Sequence, residues 1–153
     1  MKYGNSPIQV ARYFLYLSAK DHRTLTPMQL QKLVYIANGW YLGLYGRPLV
    51  NEAVEAWQYG PVIRSLYQEY KRYGGGTIDE QVLSKPEGFD PDEENTIEQV
   101  WRGYGSRTGV SLSALTHEAG SPWSVTVDKS GMNSDISDDL IEDHYKRRIQ
   151  VQQ

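Results

Sequence analysis

The chain has 153 residues, of which 39% are hydrophobic and 23% charged, with a net charge of −3 and no cysteine. That length and balance suit one soluble globular domain with a sizeable core and exclude a disordered chain. The lack of cysteine removes disulfides, thiolate catalysis and Cys-based zinc sites, which fits a reducing cytoplasm. The negative charge argues against a partner gripped through its phosphate backbone.

MKYGNSPIQVARYF at the amino terminus lacks the apolar stretch of a secretory signal, and no run of about 18 apolar residues exists to span a membrane. The first helix is expected from Ser6, with Pro7 in its first turn and Ala11, Phe14, Leu15 and Ser18 at helical spacing. Asp21-His22-Arg23 is a polar break. Thr26, Pro27 and Gln29 form a capping box that opens the second helix. Leu30, Leu33, Val34, Ala37, Trp40, Tyr41 and Leu44 make its apolar stripe, while Tyr35, Ile36 and Leu42 lie off it. A helix apolar on more than one face belongs at the centre of its domain. Gly39 and Gly43 each cost about 1 kcal/mol of helix propensity, so another helix or the connector is expected to approach there. Gly46 and Pro48 stop this helix.

Val50 to Tyr59 reads as a short strand or a packed loop, with Val54 and Ala56 alternating against Glu55, Trp57 and Tyr59. Gly60-Pro61 is expected to start a third helix with an apolar face of Val62, Ile63, Leu66, Tyr67 and Tyr70, ended by Gly74-Gly75-Gly76. Residues 77–91 read as a mobile loop with a short strand around Ile78 to Leu83. A fourth helix follows from Asp92 or Glu93 through Ile97, Val100, Trp101 and Tyr104. Ser111 is expected to cap a fifth, Leu112 to Glu118. Gly120 to Gly131 reads as irregular, and Ser137 caps a last helix whose tail frays over 150–153. The sum is a mainly α single domain of five to six helices with a short strand or hairpin.

Several segments taken in order resemble a known family. LTPMQLQKL, GWYL, GRPL, EAW and YGPV, followed by LTH and by PW at Pro122-Trp123, are similar to the SocA-like antitoxin domain, also called the Panacea domain. The resemblance spans about Ser6 to Trp123. It implies an antitoxin that neutralises a cognate toxin by direct contact, in one described case as an adaptor to a protease. The expected partners are therefore a toxin or other bacterial protein, with a protease or chaperone in the adaptor case. Many members carry an added DNA-binding module, for which this chain has no room. The resemblance also makes Trp40, Trp57, Gly60, Pro61, His117, Pro122 and Trp123 structural signatures. Trp57 and Trp123 are expected to be mostly buried, with satisfied indole N–H groups, and His117 to bond a nearby backbone group.

The residues themselves offer little catalytic chemistry. His22, His117 and His144 have no metal-ligand spacing, and neither GxGxxG, GK[ST] nor GxSxG occurs. His117-Glu118 is the best acid/base pair. Asp90, Asp92, Glu93 and Glu94 read as a solvated helix start. Lys71-Arg72 and Lys146-Arg147-Arg148 read as cations at helix C-termini. No catalytic residue, cofactor or metal is expected. Aromatic content is 12%, with 12 tyrosines and 4 tryptophans against 2 phenylalanines. Tyr, Trp and Arg together favour protein interfaces. The expected contact set is Tyr59, Arg64, Tyr67, Tyr70, Arg72 and Tyr73. Rival readings are a phage-encoded inhibitor of a bacterial defence enzyme or other host factor, a nucleic-acid-binding regulator, and an enzyme built around His117. The oligomeric state is left open.

Overall fold

In the computed structural model, which describes residues 4–152, the segment with the widest apolar surface becomes the centre of the domain. Helix α2 (Pro27–Tyr45) opens with a reciprocal cap. The Thr26 hydroxyl accepts from the Gln29 amide at 3.2 Å, and the Gln29 side chain accepts from the Thr26 N–H at 2.9 Å. It closes at Gly46, in the left-handed conformation at φ 71°. Leu33, Val34 and Ala37 are fully buried. Trp40, expected to be nearly inaccessible with them as part of the same apolar stripe, is a correction: it is only partly buried, because it faces an open groove lined by Gln99, Tyr104 and Ile149.

Around α2 pack α1 (Pro7–Lys20), α4 (Pro91–Tyr104), α5 (Gly109–Thr116) and α7 (Asp138–Gln152), with α3 (Arg64–Tyr70) and α6 (Pro122–Ser130) at the edge. Seven helices therefore occur among the described residues, and the domain is mainly α. The extra helix is α6, in the stretch read as irregular. Ser121 supplies its cap, accepting from the Ser124 N–H at 3.2 Å, and Pro122 takes the first turn.

The expected close approach at the glycines of α2 is made by α7. The Tyr145 ring lies against Gly39, and the α7 backbone at Tyr145 and Lys146 against Gly43. Some helix starts differ from the expected ones. The Ser6 hydroxyl makes no cap bond, although α1 begins at Pro7. Thr108, and not Ser111, caps α5. Ser137 does cap α7, accepting from Leu140 N–H at 3.2 Å. The tail expected to fray runs past Gln152 and ends outside the described residues.

Gly60-Pro61 does not start a helix. β1 (Val54–Trp57) and β2 (Gly60–Val62) form a hairpin with a two-residue Gln58-Tyr59 turn, and β3 (Asp135–Ile136) pairs with β1 from the other side. The sheet order is β2-β1-β3, antiparallel throughout. Gly60 adopts φ 116°, a backbone region that suits glycine, so its proximity to Pro61 marks a turn here. α3 begins only at Arg64, one turn later than expected.

Residues 77–90 contain no helix, and no strand forms at 78–83. Ile78 and Val82 insert into the core, and the segment is tied down by Arg12–Glu80 and Lys85–Glu94 ion pairs. The acidic stretch at the start of α4 (Pro91–Tyr104) is not wholly solvated either. Glu93 is buried, accepting from Asp90 N–H at 2.8 Å and from the Asn5 amide at 2.8 Å.

Candidate functional site: a clamped hairpin and its aromatic face

A β-strand at the edge of a sheet presents unpaired polar backbone groups. β2 is such an edge, and side chains from the helices seal it. Pro61 has no N–H to satisfy, and its carbonyl accepts from the Lys32 ammonium at 2.9 Å. The next outward residue, Ile63, has both groups paired by one amide: its N–H donates to Gln31 Oε1 at 2.8 Å, and its carbonyl accepts from Gln31 Nε2 at 3.1 Å. Gln31 thus stands in for a neighbouring strand. Asn38 does similar service two turns further along α2, accepting from Leu49 N–H at 2.9 Å and Val50 N–H at 3.3 Å. Burial lowers the Lys32 ammonium from its ordinary 10.5 to about 8.

The hairpin turn is held at both shoulders. The Trp123 indole N–H donates to the Trp57 carbonyl at 2.6 Å, and the Ser113 hydroxyl donates to the Tyr59 carbonyl at 2.6 Å. His117 packs against Trp123 with ring centroids 5.3 Å apart, and its Nδ1 lies 3.3 Å from Ser113 Oγ. His117 therefore contacts a side-chain hydroxyl and not the backbone group expected of it. With the Ser113 proton directed to the Tyr59 carbonyl, the Ser113–His117 pair is not arranged as nucleophile and base.

Outside this scaffold lies a surface of rings and cations. Trp57 and Tyr67 meet edge to face at 4.9 Å, and the Arg64 guanidinium covers Trp57 at 5.7 Å. Glu55 joins them, accepting from Arg64 Nε at 3.2 Å, Arg64 Nη2 at 2.9 Å and the Trp57 indole at 3.0 Å. Arg64 first, then Trp57, hold the Glu55 carboxyl below its usual range. Lys71 lies 5.9 Å over Tyr67. Tyr59 projects from the hairpin turn at 61% exposure, and Tyr67 is 43% exposed.

Of the expected contact residues, Tyr59, Arg64 and Tyr67 lie on this surface. Arg72 and Tyr73 sit beyond it: Arg72 stacks on Tyr73 at 4.7 Å, and the Tyr73 hydroxyl donates to Asp79 at 2.8 Å. Tyr70 is a correction: only 2% exposed, it belongs to the core, because the helical stripe through Ile63, Leu66 and Tyr70 faces inward. Trp57 is partly buried and belongs to the outer face as much as to the scaffold. Its place was legible in the alternation that sets it opposite Val54 and Ala56. Gln31, Lys32, Asn38 and Ser113 were missed. Their signal is polarity on helices whose other positions are apolar.

The remaining histidines are far apart in role. His22 lies exposed in the α1–α2 connection, and His144 accepts from Arg148 Nε at 3.0 Å on α7. No group of three or more His, Asp or Glu residues suited to a metal occurs among the described residues, and no described helix is long and apolar enough to cross a membrane.

The class so defined is a small, mainly helical domain whose buried polar side chains hold its own backbone and whose hairpin and third helix turn a few aromatic groups outward. The sequence matches the family described as antitoxin SocA-like, Panacea domain, over residues 30–124, and the chain belongs to that family. It is 32% identical over 151 residues to Antitoxin SocA of Caulobacter vibrioides (strain NA1000 / CB15N), an alignment covering 90% of this chain and 80% of that protein. No solved structure matches it.

Proposed function

We propose that the protein is an antitoxin that neutralises a cognate toxin by binding it directly, without turnover or cofactor, through the face bearing Trp57, Tyr59, Arg64 and Tyr67. The observation that carries the placement is the preassembled Glu55–Arg64–Trp57–Tyr67 cluster beside the exposed Tyr59. Large rings already held in place lose little side-chain freedom on binding, and such Tyr/Trp/Arg groups dominate interface energies. Family membership supports a toxin as the partner. Arg72 and Tyr73, which lie beyond this cluster, are left outside the proposed contact.

The test is co-expression with the product of the adjacent reading frame. The wild-type protein is expected to rescue growth at amounts near those of the toxin and to co-purify with it in a fixed ratio. Tyr59→Ala and Tyr67→Ala should stay folded by circular dichroism and weaken binding roughly thirtyfold, the cost of truncating a central anchor. Rescue at amounts far below the toxin's would replace stoichiometric binding with adaptor-driven degradation. Wild-type rescue by both variants would remove the contact from this face.

A further inference from the structure

We propose that Ser113 and Trp123 are positioning residues for the toxin contact: from outside the face, they fix the hairpin turn that displays Trp57 and Tyr59. The inference rests on the contact face proposed above and deepens it. The two carbonyls that flank the turn, at Trp57 and Tyr59, each accept a 2.6 Å bond from a side chain of another element. The donors arrive from α5 and α6, which lie 54 and 66 residues further along the chain.

A two-residue turn with an exposed tip has few contacts of its own to hold it. Of the turn residues, Gln58 and Tyr59 are both exposed. An ordinary surface turn leaves its carbonyls to water. Here two buried or partly buried donors replace that water, so the backbone carrying Tyr59 is set before a partner arrives. Preorganisation of this kind raises affinity by removing an ordering cost. His117 completes the support: its ring packs on Trp123 and its Nδ1 approaches Ser113 Oγ, bringing the two donors into one cluster. The PW motif thereby acquires a role at one shoulder of the turn, while the LTH motif supplies His117, which packs between the two donors and not on the turn itself.

The test uses the full chain with Ser113→Ala, Trp123→Phe and Ser113→Thr. The readouts are amide hydrogen exchange at residues 57–60, melting temperature, and affinity for the purified toxin of the adjacent reading frame. Ser113→Ala and Trp123→Phe are expected to speed exchange locally at the turn and to weaken toxin binding about tenfold. Exchange in α2 should remain as in the wild type, and Ser113→Thr, which keeps the hydroxyl, should restore both turn protection and affinity. Wild-type affinity in Ser113→Ala and Trp123→Phe, with binding still lost in Tyr59→Ala, would overturn the positioning role and leave the contact face standing. Wild-type binding by Tyr59→Ala and Tyr67→Ala would overturn the face and this inference with it. Exchange that quickens throughout the chain, with affinity falling in step with melting temperature, would reduce both residues to general stability and overturn the role as well.

Discussion

Replacing Gly39 with alanine sets two physical effects against each other. Taken as a helix position, Gly39 should gain about 1 kcal/mol from alanine. Taken in its tertiary setting, it should lose. A Cβ there would lie 2.2 Å from Tyr145 Cε2, 2.5 Å from Cδ2 and 2.7 Å from Cζ, whereas carbon atoms pack comfortably at about 3.5–4.0 Å. The ring would have to retreat by more than about 1 Å by that measure. It has little room to do so, being 6% exposed and enclosed by Trp40, Tyr35 and His144 at centroid distances of 5.2, 6.5 and 5.0 Å. Overpacking of this kind costs about 1–3 kcal/mol and sometimes more, and a flat ring trapped on three sides belongs at the upper end. The net expectation is a loss of about 1–2 kcal/mol, or a melting temperature lower by roughly 2–8 °C for a domain of this size. Gly103→Ala is the control: its Cβ meets nothing within 4 Å, so propensity acts alone and stability should rise by up to about 1 kcal/mol. Thermal and urea denaturation of the two variants decide the matter. If Gly39→Ala is as stable as Gly103→Ala, the α2–α7 contact is looser than argued and the reasoning fails. The double variant Gly39→Ala/Tyr145→Leu should recover stability relative to the sum of its parts.

Leu33→Ala, at a fully buried position of the central helix, should cost about 2–5 kcal/mol in urea denaturation through lost burial and a cavity. Lys32 predicts a pH dependence of the opposite sense to an ion pair. Its folded value, about 8, is below its ordinary 10.5, so the burial cost is full below pH 8 and is relieved as pH rises toward 10.5. The stability of the wild type relative to Lys32→Met should therefore increase by about 2 kcal/mol from pH 8 to pH 10, and a flat difference would contradict the buried ammonium. Tyr35, Tyr70 and Tyr145 are raised above the ordinary phenol value of 10.0 by burial. Their contribution is complete below pH 10 and lost above it, so the share of tyrosinate absorbance that Tyr35→Phe, Tyr70→Phe or Tyr145→Phe removes should appear together with the loss of helical circular dichroism, rather than before it. Glu55 lies on the other side: held low by Arg64 and Trp57, it should release both as pH falls through its lowered range, seen as a change in Trp57 environment that Glu55→Gln shows already at neutral pH.

The sequence by itself determined the helical class, the central place of α2, its start at the Thr26 cap and its stop at Gly46, because each follows from interactions within a few residues. It also marked the glycines of α2 as a place of close approach. It could not name Tyr145 as the neighbour, since that contact spans more than a hundred residues and leaves no local trace. The same limit explains Gly60-Pro61. A glycine followed by proline opens a helix or turns a hairpin equally well by local rules. The choice was made by Lys32 and Gln31, whose side chains seal the edge of β2 and so make a strand the satisfied arrangement. α6 was hidden for a related reason: Ser121-Pro122 is a good start, but the nearby glycines and the short apolar pattern outweighed it until packing supplied Trp123 with a carbonyl on β1. At the contact face, composition announced exposed rings without saying which. Helical periodicity left Tyr67 and Tyr70 equivalent, and only the direction in which α3 docks put Tyr70 in the core and Tyr67 beside Trp57. Local chemistry fixed where elements begin and end, while the pairing of distant donors with particular carbonyls fixed what those elements present to a partner.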